Sequence, residues 1–382
     1  MATIFGIASR STTATQIPGS QEGSGALWVW GLNLNGRLGL GLGDTIYRSS
    51  PVQLGVSTNW SKVSSGSFAN FGIKTDGTLW AWGANSSGFL GLNDRENRGS
   101  PVQVGTNANW NNIYNTFATT LATKTDGTLW SWGTNNAGHL GLNVGDGQAY
   151  RSSPVQIGTD TNWNIISTTS SAAAGIKTDG TLWTWGGNET GQLLLNNVSA
   201  RSSPTQVGAE SWLDVCVGPQ HSAAIRADGT LWACGSNYSG ELGINTRFIH
   251  RSSPVQVGTN TNWSNVKLLQ GVSFATKTDG TLWVWGQGAR VFGLNFSYGS
   301  RSSPTQIGAN ANWSFNKVKI SSASQALTSI KTDGTLWTWG NNDYGQLGLN
   351  SVSFKSSPTQ VGASSNWSSI SVGAMGLGIK QI

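Results

Sequence analysis

The chain has 382 residues, of which 52 are Gly and 20 are Trp, whereas only 10% are charged, and its net charge is +6. This composition excludes a coiled coil, which needs many more charged residues, and a disordered chain, which would contain few aromatic residues. The spacing of Gly excludes collagen, no apolar run reaches the roughly 18 residues of a membrane helix, and two Cys exclude a disulfide framework.

Residues 1–25 form a polar N-terminal arm. The arm is rich in Ser, Thr and Gly, and it lacks the basic and apolar segments of a secretory signal peptide. Its docking candidates are Ile4, Phe5 and Ile7, because an extended apolar segment can add a strand to the sheet of a partner. A disordered terminus is the alternative.

The remainder, residues 26–382, consists of one unit repeated seven times. A segment of the type Asp76-Gly-Thr-Leu-Trp-Ala-Trp-Gly83 recurs along the chain after a shortened first copy, Gly25-Ala-Leu-Trp-Val-Trp-Gly31. A segment Arg-Ser-Ser-Pro, or a close variant, follows each copy with a period of roughly 51 residues. Each repeat carries three Trp except the fifth, where Cys234 replaces one, so the repeats account for all 20 Trp.

Each repeat predicts four short strands. In the second repeat these begin near Trp60, Phe71, Thr78 and Pro101, and they are rich in β-branched and aromatic residues. Asp-Gly between the second and third strands predicts a tight hairpin, because a type I′ turn needs positive φ at both central residues. Four-stranded units repeated radially are typical of a propeller. The sequence therefore predicts an all-β, seven-bladed β-propeller of four-stranded blades.

The two ends of the repeat region complement each other. The region begins with a third strand, at residues 26–31, and ends with a second strand, at residues 377–380. We therefore expect the N-terminal and C-terminal strands to pair in one blade and to close the ring. An open solenoid is the alternative.

Several motifs recur in a fixed order. The segment Gly-x-Leu-Gly-Leu appears at 36–40, 88–92, 138–142 and 345–349, and Gly-x-x-His-Ser appears once, at 218–222. With the Trp-Gly ending and the Pro-led strand, this pattern resembles the repeat of the regulator of chromosome condensation family over about residues 26–382, which implies a seven-bladed propeller. Residues 191–195 (Gly-Gln-Leu-Leu-Leu) and 290–294 depart from it. The similarity among the repeats favours a bacterial or viral style of member, so no exchange residues of the eukaryotic nuclear factor are carried over.

The sequence offers no catalytic or metal-binding constellation. His139, His221 and His250 occupy three different repeat positions, and His221 matches the structural His of the family resemblance. Cys216 and Cys234 are expected on strands separated by a third one, roughly 9–10 Å apart, which is too far for a disulfide. We therefore predict a protein that is not an enzyme and has no catalytic residues, no cofactor and no metal.

Two repeat positions carry 14 of the 23 basic residues. One is the end of the second strand: Lys74, Lys124, Lys177, Arg226, Lys277, Lys331 and Lys380. The other precedes Ser-Ser-Pro: Arg48, Arg98, Arg151, Arg201, Arg251, Arg301 and Lys355. Such rings differ from the dense stripe that binds nucleic acid. The second ring either stacks on Trp and bonds to loop carbonyls, or contacts an acidic partner or a glycan.

The long connections between third and fourth strands vary most, and they are expected to share one face with the turns between first and second strands. Aromatic and basic side chains collect there, a composition typical of binding hot spots. Aromatics folded against their own loops are the alternative. The candidate binding residues are Tyr47, Arg48, Arg98, Tyr150, Arg151, Arg201, Tyr238, Phe248, Arg251, Tyr298, Arg301, Tyr344, Phe354 and Lys355.

These observations predict a binding or structural module. The favoured role is assembly or host attachment in a bacteriophage virion or on a microbial, extracellular surface, with a protein or glycan partner that includes other virion proteins. One alternative is a cytoplasmic, exchange-factor-like or chromatin-binding propeller, and another is a secreted protein inhibitor. Neither a nucleic-acid partner nor membrane insertion is expected.

Overall fold

The computed structural model describes residues 24–44, 46–117, 119–144, 150–287, 292–294, 299–309, 311–321, 325–372 and 375–381, with the backbone alone over 314–321. These residues form β-strands and one short 3-10 helix, Leu34–Gly36. No helix among them has the length and apolar character that crossing a membrane requires.

Eight strands form the largest sheet. They are β1 (Gly25–Gly31), β2 (Arg48–Gln53), β3 (Trp60–Ser65), β4 (Ala69–Lys74), β5 (Leu79–Gly83), β6 (Arg98–Gln103), β27 (Trp367–Val372) and β28 (Met375–Gln381). The strand β1 pairs antiparallel with β28 along its whole length, from Gly25 opposite Gln381 to Gly31 opposite Met375. The two ends of the described chain therefore lie side by side in one sheet.

The other strands form five four-stranded sheets. Two of them contain β7 (Trp110–Asn115), β8 (Thr119–Lys124), β9 (Leu129–Thr134) and β10 (Tyr150–Gln156), and β11 (Trp163–Thr168), β12 (Ala172–Lys177), β13 (Leu182–Gly186) and β14 (Arg201–Gln206). The next two contain β15 (Trp212–Val217), β16 (His221–Arg226), β17 (Leu231–Gly235) and β18 (Arg251–Gln256), and β19 (Trp263–Leu269), β20 (Val272–Lys277), β21 (Leu282–Gly286) and β22 (Arg301–Gln306). The last contains β23 (Trp313–Ser321), β24 (Ala326–Lys331), β25 (Leu336–Gly340) and β26 (Lys355–Gln360).

The predicted count of seven blades is wrong. The fold is an all-β propeller with four-stranded blades, but the described chain has five separate blades and one eight-stranded sheet that contains the closing strands. The cause is the length of β1, which extends back to Gly25 and there pairs with Trp60 at the start of β3. This single pairing joins the strands around the two chain ends to the following four strands.

Local hydrogen bonds fix the hairpins between second and third strands. Asp76 Oδ1 accepts bonds from Thr78 N at 3.0 Å and from Thr78 Oγ1 at 2.6 Å, and Gly77 has a φ of +78°. Trp80 Nε1 donates in turn to Thr78 Oγ1 at 2.9 Å. The bonds from Thr78 hold the pKa of Asp76 below its usual value. The turn Asp therefore serves backbone geometry, as its position predicts.

The core lies between neighbouring blades and is built on the second Trp of each third strand, except in the fifth repeat, where Cys234 takes its place. Trp82, for example, is fully buried, and its Nε1 donates across the blade boundary to Arg37 O at 3.0 Å. Trp132 and Trp185 make equivalent bonds to Phe89 O and His139 O. Burying such large rings drives the packing, and the indole N–H finds an acceptor in the Gly-x-Leu-Gly-Leu segment of the preceding repeat.

Candidate protein-binding face

The strand register divides the connections between two opposite faces. Gly83 at the end of a third strand pairs with both Ala69, at the start of a second strand, and Arg98, at the start of a fourth. The turns between first and second strands and the loops between third and fourth strands therefore share one face, which we call the loop face. The Asp-Gly hairpins lie on the other, the hairpin face.

A buried Asn organises the loops of the loop face. Asn85 Oδ1 accepts a bond from Leu90 N at 2.9 Å, while its Nδ2 donates to Asp94 O at 3.1 Å. Equivalent bonds are made by Asn33, Asn188, Asn237 and Asn342. Our sequence reasoning missed this residue, although an Asn two positions after the Trp-Gly or Cys-Gly ending recurs in six of the seven repeats.

The Arg side chains before Ser-Ser-Pro bond to their own loops. Arg48 Nη2 lies 2.6 Å from Asp44 Oδ2, and its Nη1 donates to Ile46 O at 3.0 Å. Arg98 pairs in the same way with Asp94 and donates to Glu96 O. Arg151 and Arg201 also donate hydrogen bonds to carbonyl groups of their own loops. Of the two structural roles expected for this ring, the structure shows bonding to carbonyls.

Stacking on Trp belongs instead to the basic ring of the hairpin face. Lys74 Nζ lies 5.1 Å from the ring centre of Trp60 and 4.1 Å from that of Trp80. The same arrangement holds for Lys124, Lys177, Arg226, Lys277, Lys331 and Lys380. Cation–π attraction therefore holds all seven side chains against the protein. Partial burial lowers the pKa of Lys124, Lys331 and Lys380.

The two faces differ in charge. The repeated turn Asp, such as Asp76 and Asp126, lie on the hairpin face beside the stacked Lys. The loop face carries the second basic ring, of which Arg48 and Arg98 are paired with acids of their own loops. The hairpin face thus has a turn Asp in six of the seven repeats, whereas an acid stands four positions before the basic residue of the second ring only for Arg48 and Arg98. The loop face therefore carries more positive charge that is not offset by a repeated acid.

Most of the predicted aromatic side chains are exposed on the loop face. Tyr238 is 60% exposed and Phe248 is 65% exposed. Tyr47, Tyr150 and Tyr344 are exposed as well, whereas Phe354 is half-buried. Tyr298 and the arm residues Ile4, Phe5 and Ile7 lie outside the described residues.

Several exposed apolar residues of this face were not predicted, and Ile249 and Phe117 are among them. Ile249 follows Phe248 in the loop of the fifth repeat and is exposed. Phe117 lies in a turn between first and second strands, where its ring contacts that of Phe68 at 4.7 Å. An aromatic residue in that turn of the third repeat was the signal available in the sequence.

The first strands line a central channel with a volume of about 250 Å³. Its wall includes Lys62, Tyr114, Cys216 and Lys267. Lys62 Nζ donates to Asn111 O at 2.7 Å. Burial raises the pKa of Tyr114 and of the Cys216 thiol, so neither is an activated nucleophile.

The three His lie apart from one another. His221 is buried with its Nε2 3.0 Å from Ser273 Oγ, and that hydroxyl donates to Glu241 O, so His221 Nε2 is the donor. Burial lowers the pKa of His221 and of His139 to about 4. His250 Nδ1 accepts a bond from Asn237 N. Within the described residues, no group of three His, Cys, Asp or Glu is placed to hold a metal ion.

A family model describes this repeat. The Regulator of chromosome condensation (RCC1) repeat matches residues 24–73, 76–113, 126–175, 179–225 and 333–376, and a second model of the same repeat matches 60–88 and 212–241. The chain belongs to the RCC1 repeat family. The matches do not show the bacterial or viral style that the sequence predicted. No curated protein sequence matches the chain.

Solved structures share the fold. Human WBSCR16 is 18% identical with a TM-score of 0.80, covering 93% of this chain and 98% of its own. Prp20p from Saccharomyces cerevisiae, described with its binding properties to Gsp1p and histones, is 16% identical with a TM-score of 0.78, covering 95% and 94%. Yeast RCC1 (Prp20), solved with Kap60 bound to it, is 15% identical with a TM-score of 0.76, covering 99% and 97%. At these identities the likeness concerns the fold.

Proposed function

We propose that this RCC1-repeat chain is a non-enzymatic, protein-binding propeller that contacts its partner through the loop face. The observation that carries the proposal is the difference between the faces. On the hairpin face the basic side chains are held between Trp rings, as Lys74 is held by Trp60 and Trp80. On the loop face, exposed Tyr and Phe stand beside Arg, a combination enriched at protein interfaces.

The context we propose is the intracellular one, an exchange-factor-like or chromatin-binding propeller. Its support is the family membership, together with the structures described as binding Gsp1p and histones or solved with Kap60. The role in a virion or on a microbial surface, which the sequence analysis favoured, has no support in these comparisons. The basic loop face favours an acidic surface on the partner, because complementary charge steers and orients association.

A binding experiment with the full chain tests the proposal. Immobilised chain is exposed to purified Gsp1p and to histone octamers, and binding is followed by biolayer interferometry. Arg201→Glu and Lys355→Glu reverse charge on the loop face, while Val56→Glu is the control, since Val56 is 92% exposed and lies beyond the fourth strand on the hairpin face. We expect the first two variants to weaken binding and the control to leave it unchanged.

The results separate the proposal from its competitors. Circular dichroism confirms that each variant is folded before binding is measured. Faster release of a labelled nucleotide from a small GTPase would support the exchange-factor form of the proposal. No binding of either protein, or equal weakening by Val56→Glu and by the loop-face variants, would contradict it.

A further inference from the structure

The loop of the fifth repeat is one residue longer than those of the second, fourth and seventh repeats. In the second repeat the buried Asn85 holds Asp94 O, and Arg98 follows four residues later. In the fifth repeat Asn237 holds Thr246 O, and Arg251 follows five residues later. The equivalent basic residues Arg201 and Lys355 follow their own Asn-bound carbonyls, of Asn197 and Ser351, after four residues.

The chain accommodates the extra residue at Phe248. Its φ is +63°, a region that bulky residues rarely adopt, and its N–H donates to Asn237 O at 2.7 Å. The result is a turn that places Phe248 in solvent, with Ile249 43% exposed beside it. Strained backbone and exposed apolar side chains at one place are unusual for a surface loop and are more common at binding sites.

The same loop lacks the acid that neutralises Arg in the first and second repeats. Thr246 stands where the second repeat has Asp94, the partner of Arg98. The residue four positions before Arg251 is another base, Arg247. The Arg251 side chain is exposed and, among the described residues, has neither a hydrogen bond nor an acid partner.

The side chains of this loop and of the neighbouring turn contact one another. The Arg247 guanidinium lies 5.2 Å from the centre of the Phe248 ring, and the Tyr238 and His250 rings meet edge to face at 4.5 Å. Because His250 Nδ1 accepts a bond from Asn237 N, its Nε2 carries the hydrogen of the neutral ring. The acid of this loop, Glu241, is buried and accepts a bond from Ser239 N at 2.8 Å, and the exposed Glu189 lies in the equivalent turn of the preceding repeat.

We propose that these residues form a binding site, the fifth-repeat patch, for an acidic peptide segment of a protein partner that carries an apolar side chain. The patch consists of Tyr238, Arg247, Phe248, Ile249, His250 and Arg251. Two guanidinium groups suit carboxylates, and the exposed Phe248 and Ile249 suit one apolar side chain between them. This inference rests on the proposed function, since it assigns the partner chemistry of one part of the loop face.

Peptide probes test the patch directly. The main probe is a fluorescein-labelled peptide of Asp and Glu residues with a central Leu-Phe pair, and binding to the full chain is measured by fluorescence anisotropy. The comparison probes are the same peptide with Ser in place of Leu-Phe, the same peptide with Gln in place of the acids, and a labelled oligo-dT. We expect the main probe to bind at least about tenfold more tightly than each of the others. A preference for oligo-dT or equal binding of all probes would overturn the inference.

Matched variants locate the binding. Arg247→Ala with Arg251→Ala, and Phe248→Gly, should each weaken binding of the main probe about tenfold or more. Gly adopts the positive φ of position 248 without strain, so Phe248→Gly should preserve the fold. A loss of binding in this variant would then report the loss of the Phe ring. The controls are Arg48→Ala and Tyr344→Ala, which change a basic residue and an exposed Tyr of other repeats on the same face.

The outcome is distinguishable from failure of the proposed function. If the controls weaken the main probe as much as the patch variants do, the fifth-repeat patch is not its site. If the patch variants leave probe binding unchanged while Arg201→Glu and Lys355→Glu weaken histone or Gsp1p binding, the protein-binding function stands and the patch inference fails. Weakening confined to the patch variants supports the inference.

Discussion

Leu194 and Cys234 together fill space that a Gly and a Trp fill elsewhere in the ring. A Cβ added at Gly91 would lie 2.9 Å from Trp132 Nε1, and one added at Gly141 would lie 2.8 Å from Trp185 Nε1. In the fourth repeat that Gly is replaced by Leu194, and the facing Trp is replaced by Cys234. Both side chains are buried in one apolar cluster, so the two departures from the repeat pattern compensate each other.

The compensation predicts non-additive stability effects. Cys234→Trp alone should destabilise the fold by about 3 kcal/mol, because the indole meets the Leu194 side chain. Leu194→Gly alone should cost about 2 kcal/mol, since it leaves a cavity while relieving a φ of +61°. The double variant should recover much of the common arrangement and be destabilised by no more than about 2 kcal/mol, which corresponds to a coupling energy of about 3 kcal/mol, measured by urea unfolding.

The inverse pair is the control for that cycle. Gly141→Leu should be destabilising beside Trp185 and should be rescued in part by Trp185→Cys. Additive free energies of unfolding in both cycles would contradict the compensation.

The Asn that holds the loops predicts a second stability effect. Asn85→Ala removes the acceptor for Leu90 N and the donor to Asp94 O, so we expect a loss of about 2 kcal/mol in the free energy of unfolding. Hydrogen exchange at Leu90 should accelerate as well. The matched control is Asn107→Ala at an exposed position, which should change stability by less than about 0.5 kcal/mol. Equal effects of the two substitutions would refute this role.

The buried His predict a pH dependence. The folded-state pKa of His221 is about 4, below the ordinary value of 6.5, so the unfolded chain binds a proton that the folded chain excludes. Stability should therefore be complete above pH 6.5 and fall as the pH drops toward 4, by up to about 3 kcal/mol for this residue. Thermal unfolding of wild type and His221→Gln across this range measures the effect. Parallel curves for the two proteins would be inconsistent with it.

The turn Asp act at lower pH, which keeps the two effects apart. Their pKa values are held below the usual 3.8 by the Thr bonds, as at Asp76, so their contribution is lost only as the pH falls below that value. Asp76→Asn should therefore leave the slope of stability against pH between pH 4 and 6.5 as it is in the wild type.

The stacked Lys predict a cation–π contribution. Lys277 Nζ lies 4.2 Å from the ring centre of Trp283 and 4.9 Å from that of Trp263. Lys277→Met keeps most of the volume and removes the charge, so we expect a loss of about 1 kcal/mol. Thermal unfolding compares it with Lys355→Met, a Lys with no ring contact among the described residues. A similar loss in both variants would assign the effect to burial rather than to the charge.

The sequence was sufficient for those parts of the fold that repeat. Strand positions, the presence of hairpins at Asp-Gly and the buried Trp follow from motifs that recur in most units. The expected type I′ geometry was wrong, because Gly77 has a positive φ and Asp76 does not. The number of separate sheets did not follow, because the pairing of Gly25 with Trp60 depends on how closely two blades approach. The distance between two blades cannot be predicted from a motif within one repeat.

The exposure of several candidate side chains was predictable from the sequence, but their contacts were not. The variable loops were recognised, together with Tyr238 and Phe248. The two basic rings looked alike in sequence, and only the structure shows that Lys74 lies between Trp rings whereas Arg48 bonds to its own loop. The extra residue before Arg251 can be recognised only in the structure, where the bond from Asn237 to Thr246 O gives the point from which the loop residues are counted.

The pairing of β1 with β28 has a consequence for biosynthesis. Among the described strands, β1 is translated before the others and pairs with β28, which is translated after them, so the edge of β1 toward β28 stays open until nearly the whole repeat region has been translated. During that interval the nascent chain carries an unpaired strand edge, the feature by which sheets recruit other chains. The ring can therefore close only after synthesis of Met375–Gln381, and premature termination before that point removes the side chains of β28 that cover Leu27 and Val29.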